Sequence, residues 1–387
     1  MKTSSARIAG LGTTIFAEMS ALASRTGSVN LGQGFPDTDG PSEIIDQAVH
    51  ALRNGRNQYA PGAGVPELRL AIADHQRRFY GLNHDPESEI AVTTGATEAI
   101  AAALLGLIDP GDEVIVLEPY YDSYVAVLQM AGAVRRPVTL RAPDFRLPLD
   151  ELRAAVSPRT TAILLNTPHN PTGTVLRRDE LDAIADIAIE HDLVVISDEV
   201  YEHLTFDGLH HIPIATLPGM SDRTLTISSG GKSFSFTGWK IGWAAGPKPL
   251  VQAMLGAKQF LTYTSGSPLQ PAIAQALGAD DAYFDDFTAQ LQVQRDLLCG
   301  GLADIGFEVH IPEGTYFATT DIRPFGFEDG LEFCRMLPDR VGVVAIPHQV
   351  FYDDVEAGRP LVRWAFCKRP EVIAEALDRL TGLTIRR

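Results

Sequence analysis

The stretch that organises this chain runs Ser228-Ser229-Gly230-Gly231-Lys232-Ser233-Phe234-Ser235-Phe236-Thr237-Gly238-Trp239-Lys240-Ile241-Gly242-Trp243. An apolar, β-branched run from Thr224 to Ile227 precedes it, which predicts a strand that ends shortly before Lys232. Burying an ammonium group is costly, so a lysine among glycines, serines and aromatic residues indicates an amine with a chemical role. Desolvation, or a second cation such as Lys240, would lower the pKa of that amine and make it a nucleophile of the kind that forms Schiff bases.

Two other interpretations fit part of the same stretch. The residues are also compatible with a turn from a strand into a loop that carries a surface lysine. Gly231-Lys232-Ser233 matches the end of the phosphate-binding loop G-x-x-x-x-G-K-[ST], but that motif requires an earlier glycine where this chain has Thr226. The missing glycine excludes the phosphate-binding loop.

Composition and charge are those of an ordinary globular protein. The 387 residues are 45% hydrophobic and 21% charged, and this length is sufficient for a large domain with a smaller partner. The net charge of −17 argues against a nucleic-acid partner held by general electrostatics. Three cysteines without a C-x-x-C motif indicate reduced thiols, and so a cytoplasmic protein. The longest apolar run, Ala99 to Ile108, is about half of a membrane span, so we expect no membrane association.

Strands and helices alternate from residue 89 onward. Runs such as Val114-Ile115-Val116 and Val194-Val195-Ile196 are typical of strands that helices cover on both faces. The alternation predicts an α/β fold with a largely parallel sheet flanked by helices. We expect a turn over residues 95–98, followed by a buried helix from Ala99 to Ile108. Ligands in such folds bind beyond the carboxyl ends of the strands, so residues that follow strands are the candidates for a site.

The pattern changes after about residue 282. A long helix from Tyr283 to Ala303 leads to short strand-like pieces, among them Val341 to Ile346 and Leu361 to Phe366. These features are typical of a smaller α+β unit. We therefore predict a large domain over residues 37–282 and a small domain built from residues 1–36 and 283–387.

Residues at several predicted strand ends have the chemistry to hold a phosphate. Gly95-Ala96-Thr97 stands before a helix, where free N–H groups and the helix dipole favour an anion. Ser229 and Lys240 could add a hydroxyl and a cation to the same phosphate. Together they predict one anion site beyond the sheet.

Other strand-end residues could hold an aromatic ring. Asp198 ends an apolar strand and would be an unpaired buried carboxylate unless it meets a cation, such as a protonated pyridine nitrogen. A ring protonated in this way is an electron sink for a carbanion. Asn170 and Tyr201 could hydrogen-bond a phenolic oxygen, and Tyr121 could stack on the ring. Singly these signals are weak, because Asn170 also fits an ordinary turn and Asp198 a helix cap.

Three motifs carry this constellation: Asn166-Thr167-Pro168-His169-Asn170-Pro171-Thr172-Gly173, Ser197-Asp198-Glu199-Val200-Tyr201, and Ser229-Gly230-Gly231-Lys232 with Thr237-Gly238-Trp239-Lys240. They resemble the signatures of class I/II, fold-type-I pyridoxal-phosphate aminotransferases, and the resemblance extends from Asn30 to Arg369. Leu31 to Asp37 and Trp239 to Trp243 are similar to the branch that contains kynurenine and glutamine aminotransferases. Phe16 to Ser20 and Leu361 to Arg369 are most similar to actinobacterial N-succinyldiaminopimelate aminotransferases.

The resemblance implies pyridoxal 5'-phosphate (PLP) as cofactor and a homodimer with shared active sites. Lys232 would bind the cofactor as a Schiff base and move a proton between the substrate Cα and the cofactor. Asp198 would pair with the pyridine nitrogen, while Asn170 and Tyr201 would contact the ring hydroxyl and Tyr121 the ring. The residues implied at the phosphate are Ala96, Thr97, Ser229 and Lys240, with Tyr59 contributed by the neighbouring subunit.

The resemblance also implies a substrate side. Arg363 would bind the substrate α-carboxylate in a bidentate fashion, with Asn170, Gly34 and Phe16 lining the pocket. Without the resemblance, Arg363 also fits a strand arginine in a surface ion pair. His348 and Gln349 depart from the small or apolar residue and the serine usual in a loop that borders the substrate pocket of relatives. These two residues leave the identity of the substrate undetermined by the resemblance.

The implied reaction moves an α-amino group from an amino acid to a 2-oxo acid, with glutamate and 2-oxoglutarate as one pair. N-succinyl-diaminopimelate, glutamine, methionine or an aromatic amino acid would be the other donor. One alternative is β-elimination from cysteine conjugates. Another is a PLP-sensing regulatory module; such modules carry an additional DNA-binding domain, for which we expect no room before the aminotransferase-like region. His203, His210 and His211 lack a helical i, i+4 pair with a carboxylate, so we expect no metal.

Overall fold

The computed structural model describes residues 4–383. The α-helices are α1 (Ile15–Thr26), α2 (Ser42–Arg53), α3 (Pro66–Tyr80), α4 (Gly95–Leu107), α5 (Asp122–Ala131), α6 (Leu149–Ala154), α7 (Arg178–Glu190), α8 (Gly230–Ser233), α9 (Lys248–Lys258), α10 (Gln270–Leu277), α11 (Asp281–Ile305), α12 (Gly330–Val341), α13 (Val355–Gly358) and α14 (Pro370–Leu380). The strands are β1 (Val29–Asn30), β2 (Ile90–Thr94), β3 (Glu113–Glu118), β4 (Val134–Thr139), β5 (Thr160–Asn166), β6 (Val194–Asp198), β7 (Thr224–Ser229), β8 (Ile241–Ala245), β9 (Glu308–His310), β10 (Phe317–Asp321), β11 (Val343–Val344), β12 (Ile346–Pro347) and β13 (Leu361–Ala365). Within residues 4–383, every helix is too short or too polar to cross a membrane.

A seven-stranded sheet forms the centre of the larger unit, with the strand order β2-β8-β7-β6-β5-β3-β4. The five neighbouring strands β7, β6, β5, β3 and β4 pair in parallel, whereas β8 runs antiparallel to both of its neighbours, β7 and β2. This arrangement confirms the prediction of an α/β fold with a largely parallel sheet. It also brings the carboxyl ends of β5, β6 and β7 to one edge of the sheet.

Helices cover both faces of this sheet, and strand β3 shows why. Val114 and Val116 are completely buried in a core with helices α4, α5 and α9, while Ile115 belongs to a second core with α7. Successive side chains of a strand point to opposite faces, so an unbroken apolar run supplies both cores. The predicted strands with apolar residues on both faces are confirmed.

The smaller unit has its own antiparallel sheet with the order β12-β13-β10-β9. Strand β1 pairs in parallel with β11, and helix α1 packs near α12. Residues from both ends of the described chain, such as Met19 and Ile373, therefore share one hydrophobic core. The domain boundaries at residues 36 and 282 stay a prediction.

Two local expectations were wrong. The predicted turn over residues 95–98 is the first turn of α4, and the carboxylate of Glu98 accepts a hydrogen bond from the Thr94 N–H at 2.6 Å, which helps to close that turn. The predicted strand from Val341 to Ile346 is divided: α12 includes Val341, β11 pairs with β1, and β12 pairs with β13. Apolar periodicity cannot reveal a chain that passes from one sheet to another within three residues.

Candidate active site

A cavity of about 1010 Å³ lies at the carboxyl ends of β5, β6 and β7. All of the sequence-predicted site residues except Tyr59 meet there, and they come from the two larger sheets and from the helices and loops beside them. Those that line the cavity are Phe16, Gly34, Ala96, Thr97, Tyr121, Asn170, Asp198, Tyr201, Ser229, Lys232, Lys240 and Arg363. Tyr59 is outside this cavity, and 83% of its surface is exposed.

Lys232 lies in the short helix α8, directly after β7, and it lines the cavity. Nζ donates a hydrogen bond to the Tyr316 hydroxyl at 2.8 Å and lies 3.5 Å from the Gly34 carbonyl oxygen. Burial lowers the pKa of Lys232 to about 8, and Lys240 adds only a minor lowering. The interpretation of Lys232 as a surface lysine is therefore wrong, and desolvation is the main cause of its lowered pKa.

Asp198 ends strand β6 as a buried carboxylate without a salt bridge in residues 4–383. It accepts hydrogen bonds from the Tyr124 hydroxyl at 2.6 Å and from the Val200 N–H at 3.3 Å, neither of which is charged. Burial raises its pKa from 3.8 to about 6, and the two hydrogen bonds only partly oppose that rise. A cation placed against this carboxylate would remove the penalty of its burial.

The first turn of α4 and the end of β8 form a backbone cradle. A Cβ atom added to Gly242 would lie 2.5 Å from the Gly95 carbonyl carbon, so only glycine allows this close approach. A Cβ on Gly95 would lie 3.5 Å from Lys240 Nζ, which places the ammonium beside the helix N-terminus. Free N–H groups, the helix dipole and a cation together favour a bound phosphate.

Arg363 lies in β13 and is only 2% exposed, so the interpretation as a surface ion pair is wrong. Its guanidinium donates to Asn170 Oδ1 at 3.0 Å and to the Gly32 carbonyl at 2.8 Å, and it stacks 3.9 Å from the centre of the Phe317 ring. Its Nε has no hydrogen-bond partner in the described part of the chain. Burial lowers its pKa to about 10, so this cation would be stabilised by a carboxylate.

Sequence reasoning missed two tyrosines of the site. Tyr124 donates to Asp198, and it lies in the first turn of α5, three residues after Tyr121, the N-cap residue of that helix. Tyr316 contacts Lys232 across 84 positions of sequence, and no local pattern signals that contact. A helical reading of residues 121–130 could have found the first but not the second.

The two unusual loop residues do not line the cavity. His348 is completely buried and forms a hydrogen bond with the Thr319 hydroxyl at 2.9 Å, while Gln349 accepts a hydrogen bond from the Leu331 N–H at the start of α12. Val350 and Phe351, which follow them, do line it. The two residues that depart from the usual pattern therefore stabilise this loop through contacts outside the cavity.

The three histidines considered for a metal do not meet. His211 pairs with Glu199 at 2.7 Å, whereas His203 Nε2 lies 2.8 Å from His75 Nε2, with Glu202 nearby. That separation is a hydrogen bond between neutral imidazoles, and burial lowers the pKa of both His75 and His203. This cluster does not line the cavity.

Residues 26–380 match the family described as Aminotransferase class I and II. The chain belongs to this family. The resemblance inferred from the motifs is thereby confirmed, and with it the PLP-dependent, fold-type-I class of transaminase. The site fits the cofactor, because a desolvated amine, an uncompensated carboxylate and a helix N-terminus beside a cation surround one cavity.

Several aminotransferases are similar to the chain over nearly its whole length. A probable N-succinyldiaminopimelate aminotransferase from Mycobacterium tuberculosis is 52% identical, with 98% of each chain covered. The methionine aminotransferase of Escherichia coli is 39% identical over 96% of each chain. A solved structure of N-succinyldiaminopimelate aminotransferase from M. tuberculosis has a TM-score of 0.97 at 53% identity, and covers 99% of this chain and 100% of that one.

Proposed function

We propose that this aminotransferase exchanges amino groups between the glutamate/2-oxoglutarate pair and N-succinyl-diaminopimelate. The observation that carries the proposal is the convergence of Lys232, Asp198 and Arg363 on one cavity. Asp198 and Arg363 are buried and Lys232 is partly buried, and none of the three has a salt bridge in residues 4–383. The similarity to the M. tuberculosis aminotransferase supports the choice of amino donor. Methionine, glutamine, kynurenine and aromatic amino acids are the competing donors.

The shape of the cavity supports a long, acidic donor. Beyond Phe16 its wall continues to Glu18 and to Arg335, which form an ion pair with 2.8 Å between Arg335 Nε and Glu18 Oε1. Arg335 is half exposed there and could meet a second substrate carboxylate, in addition to the α-carboxylate at Arg363. A short donor would leave that part of the cavity to water.

In this proposal the chain's residues perform separate tasks. Lys232 would bind the cofactor aldehyde through its amine and later take a proton from the substrate Cα, for which a pKa of about 8 is suitable. The bound cofactor supplies an electron sink for the resulting carbanion. Asp198 would keep the cofactor's ring nitrogen protonated, and Tyr124 would hold Asp198 in place.

The remaining tasks concern orientation. Arg363 would bind the α-carboxylate with its free hydrogen-bonding capacity, while Asn170 fixes the guanidinium. The N-terminus of α4, Ser229 and Lys240 would hold the phosphate. Tyr201, buried and perpendicular to Tyr316, would contact the ring hydroxyl.

A homodimer with shared sites belongs to the same proposal. Tyr59 packs edge-on against Tyr263 with 5.6 Å between ring centres, and Phe260 and Leu261 are exposed nearby in sequence. An exposed aromatic patch of this kind is typical of a protein interface, and a second copy would bring Tyr59 to the neighbouring cavity. Three buried, unpaired cysteines support a reducing compartment, which we propose to be the cytoplasm.

The test is a panel of half-reactions. Purified holoenzyme is mixed with single amino acids, and the absorption of the bound cofactor is followed as it takes up the amino group. We expect glutamate and N-succinyl-diaminopimelate to convert it, with the latter having the highest kcat/KM among the non-glutamate donors. Conversion by methionine or kynurenine alone would refute N-succinyl-diaminopimelate as the amino donor. Release of ammonia with a 2-oxo acid from cysteine conjugates would indicate β-elimination.

A further inference from the structure

The hydroxyl of Tyr316 lies between Lys232 and the loop that contains Gly34. Lys232 Nζ is 2.8 Å from the phenolic oxygen, which in turn is 2.6 Å from the Gly34 carbonyl oxygen. Tyr316 is 1% exposed, and its ring packs perpendicular to that of Tyr201. The hydroxyl therefore has a fixed position beside the amine.

The direction of both hydrogen bonds follows from the groups involved. A carbonyl oxygen can only accept, so Tyr316 must donate its single proton to Gly34. Towards Lys232 the phenolic oxygen then has only lone pairs, and Nζ must be the donor. Burial raises the pKa of Tyr316 well above 10, so the phenol keeps this proton at physiological pH.

We propose that Tyr316 is a positioning residue for transamination, which holds Lys232 Nζ by one N–H bond and leaves the nitrogen lone pair free. The inference rests on the proton-transfer role proposed above for Lys232. When the substrate Cα–H bond breaks, the proton forms a new N–H bond with that lone pair. The electron pair of the broken bond stays with the substrate carbon, and the resulting ammonium still donates one N–H to Tyr316.

The same loop also fixes the arginine of the substrate side. The Gly32 carbonyl accepts from Arg363 Nη2 at 2.8 Å, and two residues later the Gly34 carbonyl accepts from Tyr316. A Cβ on Gly34 would lie 2.5 Å from the Phe317 ring, so the loop backbone lies directly against strand β10. The backbone of residues 32–34 thus sets the distance between the base and the group that binds the α-carboxylate.

The test is the substitution Tyr316→Phe, which removes the oxygen and keeps the ring. Because one hydrogen bond to the amine is lost, we expect kcat to fall roughly tenfold or more. We expect KM for the amino donor to change less than about twofold, since Arg363 is untouched. The cofactor-free, full-length protein gives a second readout: the pH dependence of Lys232 acylation, followed by mass spectrometry of its peptide.

The acylation profile distinguishes positioning from a general structural effect. Tyr316 accepts from Nζ and so favours the ammonium form. Its loss should therefore lower the pKa of Lys232 further below about 8 and move the acylation midpoint to lower pH. Incorporation of 3-fluorotyrosine at position 316 keeps both hydrogen bonds with a weaker acceptor, and should produce a smaller shift in the same direction without affecting the fold.

The matched control is Tyr283→Phe. Tyr283 also donates its hydroxyl to a backbone carbonyl, that of Ser233 at 3.1 Å, next to Lys232 in sequence, and it does not line the cavity. We expect the kcat and the acylation midpoint of this variant to equal those of the wild type.

Two results would contradict the proposal in distinguishable ways. A wild-type kcat and midpoint in Tyr316→Phe, with borohydride still fixing the cofactor on Lys232, would overturn this inference alone. If borohydride fixes the cofactor on another lysine, the proposed role of Lys232 and this inference fall together.

Discussion

Without the cofactor, the Asp198 carboxylate lowers the stability of the protein. The reason is that a buried carboxylate with only neutral hydrogen-bond donors is poorly solvated. Its pKa is raised from 3.8 to about 6, so the folded chain binds more protons than the unfolded chain between these values. The stability of the cofactor-free protein should therefore fall as pH rises through this window. Binding of a protonated ring nitrogen would reverse that penalty.

The substitution Asp198→Asn tests this cost. The amide cannot ionise and can still accept from Tyr124, so the cofactor-free variant should gain about 1–3 kcal/mol relative to wild type between about pH 4 and pH 7. Its kcat should fall at least about a hundredfold, because the ring nitrogen loses its anionic partner. Urea unfolding across pH and steady-state kinetics measure the two effects.

A control for this substitution is Asp321→Asn. Asp321 is equally buried, but Arg323 already forms an ion pair with it, so this variant should lose stability near neutral pH. Identical pH profiles for wild type and Asp198→Asn would show that Asp198 carries no uncompensated charge.

Among single residues, the sequence predicted those site residues whose type and neighbouring sequence form a recognisable motif. Lys232 and Asp198 each follow a recognisable strand, and Arg363 lies in a motif, so all three could be predicted. Tyr316 could not, because its role depends on where one hydroxyl lies after distant segments pack together. His348 was a poor guide to the substrate, because residue identity alone does not show which side of a loop faces a cavity.

At the scale of elements, strand β8 and the first turn of α4 depend on each other. The Gly242 backbone lies so close to Gly95 and Ala96 that no side chain fits between them. The free N–H groups proposed to hold the phosphate belong to that same turn. The geometry of the phosphate site therefore depends on a strand–helix contact.

Gly242→Ala should separate β8 from α4. We expect a loss of about 1–3 kcal/mol in unfolding free energy from overpacking, and a PLP affinity lowered at least roughly tenfold. Thermal unfolding and cofactor titration measure these changes. The control is Gly256→Ala in the interior of α9, where an added Cβ meets no atom within 4 Å and should stabilise the helix by about 0.5–1 kcal/mol. Equal PLP affinity in Gly242→Ala and wild type would contradict the proposal that the backbone cradle of α4 and β8 holds the phosphate.

Element type was predictable wherever hydrophobic periodicity was strong, as in the buried strands β3 and β6. The start of α4 was not, because its glycine and threonine residues are typical of turns, and the Glu98 hydrogen bond that closes the turn is not visible as a pattern. Likewise, β11 and β12 form one apolar run whose two halves join different sheets.

At the scale of the whole molecule, the site is assembled from both units of the fold. Asp198 comes from the seven-stranded sheet, Lys232 from helix α8 directly after that sheet's β7, Arg363 from the four-stranded sheet, and Phe16 from the N-terminal helix α1. Tyr59 is exposed and does not line the cavity of its own subunit. A second copy would complete the phosphate site in the proposed dimer.

Complementation between inactive subunits tests the shared site. Lys232→Ala and Tyr59→Ala chains are co-expressed with different tags, and the hybrid dimer is isolated. One of its two sites should combine Lys232 of one chain with the partner subunit's Tyr59, so the hybrid should be more active than either parent dimer. Activity equal to the mean of the two parents would contradict a shared site.

The central claim is that one amine, that of Lys232, carries the cofactor. Reduction of the holoenzyme with borohydride, followed by peptide mapping, tests it most directly. We predict one stoichiometric pyridoxyl label per subunit on Lys232, and none in Lys232→Ala. A label on Lys240, Lys258 or another lysine, or a protein that binds no cofactor at all, would contradict the account.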